Sequence, residues 1–276
     1  KFYDGIVAKG RAAGGVKTVI FNWALGVVLA WEPEKEGHGL YGFKLKMARK
    51  LVFSKVKEAL GLTGIKAVAS GSAALQARLA RFFNGAGIPV LEGYGLTETS
   101  PVVTVNTINA PEMLRIGTVG KVVKSVEISF GPDKEILVKG PNVMMGYYKD
   151  EEKTAEVIKD GWFHTGDIGE LDGDGFLKIT DRKKEMFKTS GGKYVSPALL
   201  ENALKASLFI EQVMVVGEYR KHPAALISPD TTAINEWCKR HDHTYPGDDK
   251  IGDDTRITDR IMEEVNTLME PFSQWE

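Results

Sequence analysis

The residues best suited to chemistry lie in one short run, Tyr94-Gly95-Leu96-Thr97-Glu98-Thr99-Ser100-Pro101. Gly93 and Gly95 free the backbone there, so a ligand can approach the main chain closely. Thr97 and Thr99 can donate to phosphate oxygens. Glu98 is the only carboxylate of the run. A single carboxylate completed by phosphate oxygens suits Mg²⁺, which is seldom held in an all-protein cage. A second glycine-containing turn, Gly71-Ser72-Ala73, lies upstream.

These turns need strands to hold them. Residues 65–70 read as a short apolar strand ending at Gly71. Leu75, Leu79 and Phe82 then repeat at helical spacing, and Gly85 stands where a helix C-cap belongs. Residues 88–91 read as the next strand, ending at Gly93. A strand–helix–strand unit predicts parallel pairing. In open α/β sheets ligands bind beyond the carboxyl ends of the strands, so both glycine turns are expected to face one crevice.

The pattern changes downstream. Over residues 117–180 short alternating strands are punctuated by turn clusters at 131–133 and 172–175, which predicts a small antiparallel sheet or barrel. Asp150 is placed to cap a helix over residues 151–158. From Asp181 a basic connector leads into an α+β segment. Ser196 is a good N-cap, with Pro197 at the first helical position. Residues 210–216 read as a strand. Ile257, Ile261, Val265 and Leu268 mark an amphipathic helix that stops before Pro271. Residues 241–254 read as a polar, mobile loop. The fold class is therefore α/β: a parallel βα region over residues 1–106, a small antiparallel barrel over 107–180, and an α+β unit over 181–276.

Composition narrows the function. Acidic and basic residues nearly cancel, with a net charge of -1, so there is no electrostatic footprint for nucleic acid. The single cysteine, Cys238, rules out an internal disulfide framework and suits the reducing cytoplasm. The chain opens without a Met and without a signal or transit pattern. Its most apolar stretch, residues 19–31, is broken by Asn22 and falls short of the roughly 20 residues a bilayer span needs. It reads as a buried helix, with peripheral membrane contact as the alternative. Asp172-Gly173-Asp174-Gly175 resembles the start of a calcium loop, but Phe176 occupies the next ligand position, so a hairpin turn is expected. Cys238, His241 and His243 lack an evident fourth zinc ligand. His164 is read as a positioning residue rather than a general base.

The run at 94–101 resembles the signature of the adenylate-forming superfamily of acyl-CoA synthetases, luciferases and adenylation domains. Four further segments match in order. Ser70-Gly71-Ser72-Ala73-Ala74-Leu75 resembles the preceding acyl- and nucleotide-binding turn, with Ser72 where many members have glycine. Gly161-Trp162-Phe163-His164-Thr165-Gly166-Asp167 resembles the segment whose aspartate binds ribose. Asp181-Arg182-Lys183-Lys184 is similar to the hinge segment. Residues 188–197, from Lys188 through the Gly191-Gly192 pair to Pro197, resemble the glycine loop that swings toward the active site. The wording at 185–188 and 140–144 is most similar to the long-chain fatty-acid branch.

The resemblance implies an AMP-forming fatty-acid–CoA ligase that uses ATP, Mg²⁺ and CoA. Asp167 would accept the ribose hydroxyls. Arg182 would serve ribose or phosphate. Gly71, Ser72, Ala73, Gly93, Tyr94, Gly95 and Thr97 would contact nucleotide or acyl group, and Glu98 would hold the metal. Thr97, Glu98 and Lys188 would carry the chemistry, with Lys184 as the hinge. Residues 1–180 would be the C-terminal part of the large adenylation domain, and 181–276 a mobile lid. The Ser/Thr/Gly-rich phosphate loop and the late lysine of full-length members are not in the sequence, so the chain is expected to be an inactive fragment of its parent. Transfer to acyl carrier protein, arrest at the adenylate, or a non-catalytic nucleotide- or acyl-binding module are the alternatives.

Overall fold

The computed structural model describes residues 2–272 apart from Ser72, Asn109, Ala110 and Lys184. The chain divides into two compact units, Lys1–Ile179 and Thr180–Glu276.

The first unit begins with helices α1 (Phe2–Ala12), α2 (Gly15–Leu29), α3 (Gly39–Ala48) and α4 (Ser54–Ala59). Strand β1 (Val68–Ser70), helix α5 (Ala77–Gly85) and strand β2 (Val90–Gly95) follow. β1 and β2 pair in parallel, with Ser70 opposite Glu92, as the strand–helix–strand pattern predicts. β3 (Val102–Val105) and β4 (Lys121–Val122) extend this sheet antiparallel. Next come β5 (Glu127–Phe130), β6 (Glu135–Lys139), α6 (Glu151–Val157), β7 (Ile158–Lys159), β8 (Trp162–Leu171) and β9 (Leu177–Arg182). They form an antiparallel sheet in the order β5-β6-β8-β7, with β9 on β8. Val119 N–H donates to the Leu177 carbonyl, and Leu177 N–H to that of Gly120, so the two sheets join into a half-barrel. Its core is Val103, Ile136, Val138 and Leu177.

A helical core lies beside the parallel strands. Phe82 of α5 is fully buried and meets Tyr3 and Phe53 edge-on, at centroid distances of 4.8 and 5.6 Å. Such pairs add about 0.5–1.5 kcal/mol beyond area burial. The apolar stretch at 19–31 is helical but only half buried. Phe21, Ala24, Leu25 and Val28 face the core, while Val19 is 68% exposed and Trp23 39%. Among the described residues no helix is long and apolar enough to cross a membrane. Gly85 is not the helix cap. It lies inside α5, where a Cβ would stand 2.7 Å from the Val28 carbonyl oxygen of α2, and Gly87 takes the left-handed turn at φ 77°. The glycine at 85 answers to helix–helix approach, which no local pattern encodes.

The second unit contains β10 (Phe187–Lys188), β11 (Tyr194–Val195), α7 (Pro197–Leu204), β12 (Ile210–Val216), β13 (Ala224–Pro229), α8 (Thr231–Arg240) and α9 (Thr255–Met269). β10 pairs with β11 and β12 with β13, both antiparallel. Ser196 precedes α7 without a side-chain capping bond, whereas Asp150, Asp230 and Asp254 each accept the third N–H of their helices. The loop at 241–254 is built rather than loose. Ile251 is buried against Ile234, Cys238, Ile257 and Ile261, and His243 Nε2 lies 2.8 Å from Asp254 Oδ2. Cys238 is a buried apolar filler, and burial pushes its thiol pKa up.

Candidate functional site

The site is built at the carboxyl ends of β1 and β2. A Cβ on Gly95 would lie 1.6 Å from the Pro101 carbonyl oxygen, so the run folds back on itself as only glycine permits. Ser100, at φ 55°, then turns the chain into β3. A Cβ on Gly71 would touch the Gly93 carbonyl at 3.7 Å, so the 71–73 turn and the end of β2 lie side by side; Gly93-Tyr94-Gly95, expected as a turn after the strand, is instead part of β2, where it pairs with β3. Ala73 is exposed next to them. Ser72 lies outside the described residues. Within β2, the buried Glu92 carboxylate accepts from Leu75 N–H at 2.9 Å, and burial raises its pKa above the usual carboxylate range.

Within the run the side chains part ways. Thr97 is exposed, and no hydrogen bond of its hydroxyl is found among the described residues. Thr99 is fully buried. Its hydroxyl donates to the Pro101 carbonyl at 2.6 Å and accepts from Leu96 N–H at 2.9 Å. The expectation that Thr99 serves phosphate therefore fails, because its proton and lone pair are already committed to closing the turn. Glu98 is partly exposed. Its Oε1 accepts from Tyr147 O–H at 2.9 Å, and its backbone carbonyl from Met144 N–H at 2.8 Å. Burial, then the Glu98 contact, pushes the Tyr147 phenol pKa up.

Asp167 arrives from β8 and is 3% exposed. Tyr94 O–H donates to its Oδ2 at 2.7 Å, joining two segments 73 residues apart. The stretch of β8 carrying it, where the register with β6 shifts, is held from several directions. Thr165 O–H donates to the Ile136 carbonyl at 2.8 Å, while its oxygen accepts from Asp167 N–H at 3.1 Å. Gly166, at φ 74°, donates its N–H to the buried Glu135 carboxylate at 2.9 Å, and His164 Nδ1 lies 3.4 Å from the same carboxylate. That contact suits His164 as a positioning residue. Glu135 and Tyr147 escape sequence reasoning. Each supports a site residue through a contact spanning strands or turns, and nothing local marks it.

In the second unit, Arg182 is exposed and its guanidinium meets Glu185 at 3.2 Å. Lys188 is exposed on the β10–β11 hairpin, its ammonium 5.3 Å from the Tyr194 ring centre. Gly192 turns that hairpin at φ 80°. Lys184 lies outside the described residues. Among the described residues no group of three or more His, Cys, Asp or Glu could hold a metal ion. The 172–175 turn is a hairpin, as expected. Asp172 accepts the N–H groups of Asp174 and Phe176, and Arg115 pairs with both aspartates at 2.5 and 2.6 Å. Glu98 offers one oxygen for which no partner is found among the described residues. That donor set fits a cation arriving with phosphate ligands and does not fit a standing metal site.

A family model described as AMP-binding enzyme matches residues 34–148, and one described as AMP-binding enzyme C-terminal domain matches residues 185–274. The chain is 41% identical over 259 residues to the long-chain-fatty-acid–CoA ligase FadD15 of Mycobacterium tuberculosis, covering 93% of this chain and 42% of that protein. It is 36% identical over 256 residues to long chain acyl-CoA synthetase 3 of Arabidopsis thaliana, covering 87% and 38%. The chain thus spans about two fifths of the length of these relatives. Among solved structures, O-succinylbenzoate coenzyme A synthetase of Bacillus subtilis in complex with ATP and magnesium ion is similar with a TM-score of 0.56 at 26% identity, over 74% of this chain and 47% of that one. The A domain of a carboxylic acid reductase from Segniliparus rugosus shares the fold, with a TM-score of 0.62 at 21% identity over 93% and 39% of the two chains.

Proposed function

Because the chain belongs to the AMP-binding enzyme family, we propose that the whole protein is an ATP-dependent long-chain-fatty-acid–CoA ligase. The observation that carries this reading is the Tyr94–Asp167 hydrogen bond, which joins the end of β2 to β8, and a nucleotide would be read where they meet. The substrate class rests on the names of the relatives.

A fatty-acid carboxylate is a poor electrophile because its charge repels nucleophiles. Two displacements overcome this. A carboxylate oxygen attacks the α-phosphorus of ATP, the bond to the bridging oxygen of the β-phosphate breaks, and pyrophosphate leaves. The thiol of CoA, giving its proton to solvent, then attacks the acyl carbon and AMP departs. Asp167 binds the ribose hydroxyls, and the backbone at Gly71, Ala73, Gly93 and Gly95 lets nucleotide and acyl group lie close. Thr97 donates to a phosphate oxygen. Arg182 serves ribose or phosphate, and Lys188 the acyl-adenylate. Mg²⁺, when bound, offsets charge on the phosphate oxygens. Glu98 would hold it; that Mg²⁺ takes part is supported by the ATP and magnesium complex of the similar synthetase. The single, buried Cys238 suits the cytoplasm, and the exposed Val16, Val19 and Trp23 of α2 suit peripheral contact with lipid.

The test is a turnover assay of the whole protein. Long-chain fatty acid and ATP should release pyrophosphate, and adding CoA should yield thioester and AMP. Thioester formed only with acyl carrier protein would change the acceptor. An absence of fatty-acid-dependent pyrophosphate release would refute the reading.

A further inference from the structure

We propose that Tyr147 is a positioning residue for the metal-binding carboxylate, holding Oε1 of Glu98 so that only Oε2 is presented to the cation. The inference rests on the assignment of Glu98 to Mg²⁺.

The geometry is specific. Tyr147 O–H donates to Oε1 at 2.9 Å, and Met144 N–H ties the Glu98 carbonyl at 2.8 Å, so backbone and side chain of Glu98 are both held from one segment. That segment is itself braced. Tyr147 N–H donates to Thr154 Oγ1 at 2.9 Å, and the Thr154 hydroxyl donates to the Asp150 carbonyl at 2.7 Å. Gly146 is required there, since a Cβ would stand 2.8 Å from the Thr154 methyl. Lys153 Nζ lies 4.6 Å from the Tyr147 ring centre, which fixes the ring as well. A phenol seated this way occupies one lone pair of Oε1 and so disfavours two-oxygen coordination by Glu98. Mg²⁺ demands near-octahedral, short contacts and takes carboxylates through one oxygen, whereas larger cations such as Ca²⁺ accept both. Removing the outer partner of a ligating carboxylate typically weakens metal binding about 10- to 100-fold.

Tyr147→Phe deletes the hydroxyl and keeps the ring. Mn²⁺ binding to the whole protein with a non-hydrolysable ATP analogue, read by electron paramagnetic resonance, is the direct measurement. We expect the Mn²⁺ dissociation constant to rise about tenfold and the Mg²⁺ concentration for half-maximal pyrophosphate exchange to rise in parallel. Metal-free nucleotide affinity and melting temperature should stay at wild-type values. Glu98→Gln is the reference variant. If Glu98→Gln weakens Mn²⁺ binding and Tyr147→Phe does not, the positioning role is overturned while the Glu98 assignment stands. If neither variant changes Mn²⁺ binding, both are overturned. If Tyr147→Phe lowers metal-free nucleotide affinity as much as metal affinity, Tyr147 is merely structural and the proposal falls. Should Tyr147→Phe fold poorly, Thr154→Val, which keeps the Tyr147 hydroxyl but frees its backbone, replaces it: a smaller rise in the Mn²⁺ dissociation constant is expected beside a lower melting temperature, and no rise overturns the positioning role.

Discussion

Tyr94→Phe gives the sharpest test of the nucleotide site. The phenyl ring keeps the packing of Tyr94 against the half-barrel core, and only the hydroxyl that donates to Asp167 Oδ2 at 2.7 Å is lost. Asp167 is 3% exposed, so water replaces that donor poorly. A hydrogen bond to a charged group contributes about 1.5–3 kcal/mol, which corresponds to about 10- to 100-fold in affinity if the carboxylate's orientation is what the ribose reads. Calorimetry with AMP on wild type, Tyr94→Phe, Asp167→Ala and the double variant measures it. Tyr94→Phe should weaken AMP about tenfold, at the lower end of that range, because Asp167 remains. The double variant should be no weaker than Asp167→Ala alone, since Tyr94 acts through Asp167, and contacting pairs of this kind couple strongly. Additive losses would mean that Tyr94 contacts nucleotide independently. AMP affinity within about twofold of wild type for Asp167→Ala would remove Asp167 from the site.

Other substitutions probe the frame and the chemistry. Gly95→Ala forces a methyl to within 1.6 Å of the Pro101 carbonyl. The turn must open, and the melting temperature should fall by the equivalent of about 1–3 kcal/mol or more. Lys188→Ala, on an exposed hairpin, should slow thioester formation more than pyrophosphate exchange; equal losses would point to folding or ATP binding. Asp254 is held below its ordinary pKa, chiefly by its bond to His243. That contribution is full above the unfolded value near 3.9 and is lost as pH falls through the lowered folded value. His243→Asn should therefore lower the melting temperature near neutral pH, and its difference from wild type should shrink below about pH 4. A constant difference across that range would exclude the pair as its cause.

Much of the architecture can be read from local pattern, because it depends on residues close in the chain. Apolar spacing and the glycine turns suffice for the parallel β1–β2 pair and for α5. Period-two alternation marks the half-barrel strands, and Asp150 announces α6. The strand at 210–216 and the helix through Ile257 and Leu268 are equally plain. The candidate site residues were nameable for a related reason: each belongs to a contiguous run whose order is itself informative.

What depends on distant parts of the chain was decided only by packing. Gly85 reads locally as a helix cap, yet it is there because the Val28 carbonyl of α2 passes against it. Thr99 has the same chemistry in sequence as Thr97. Its hydroxyl is enclosed by the folded-back turn and bonded to Pro101, while that of Thr97 faces outward. The polar loop at 241–254 is ordered by one buried isoleucine and one His–Asp contact, neither of which hydropathy reveals. Which segments carry the hydroxyls, carboxylates and flexible backbone of the site is legible along the chain, since residue type and order are local properties. That Tyr94 holds Asp167 and Tyr147 holds Glu98 emerges with folding alone. Those contacts bridge 73 and 49 residues, and a hydrogen bond depends on positions in space that chain separation does not specify.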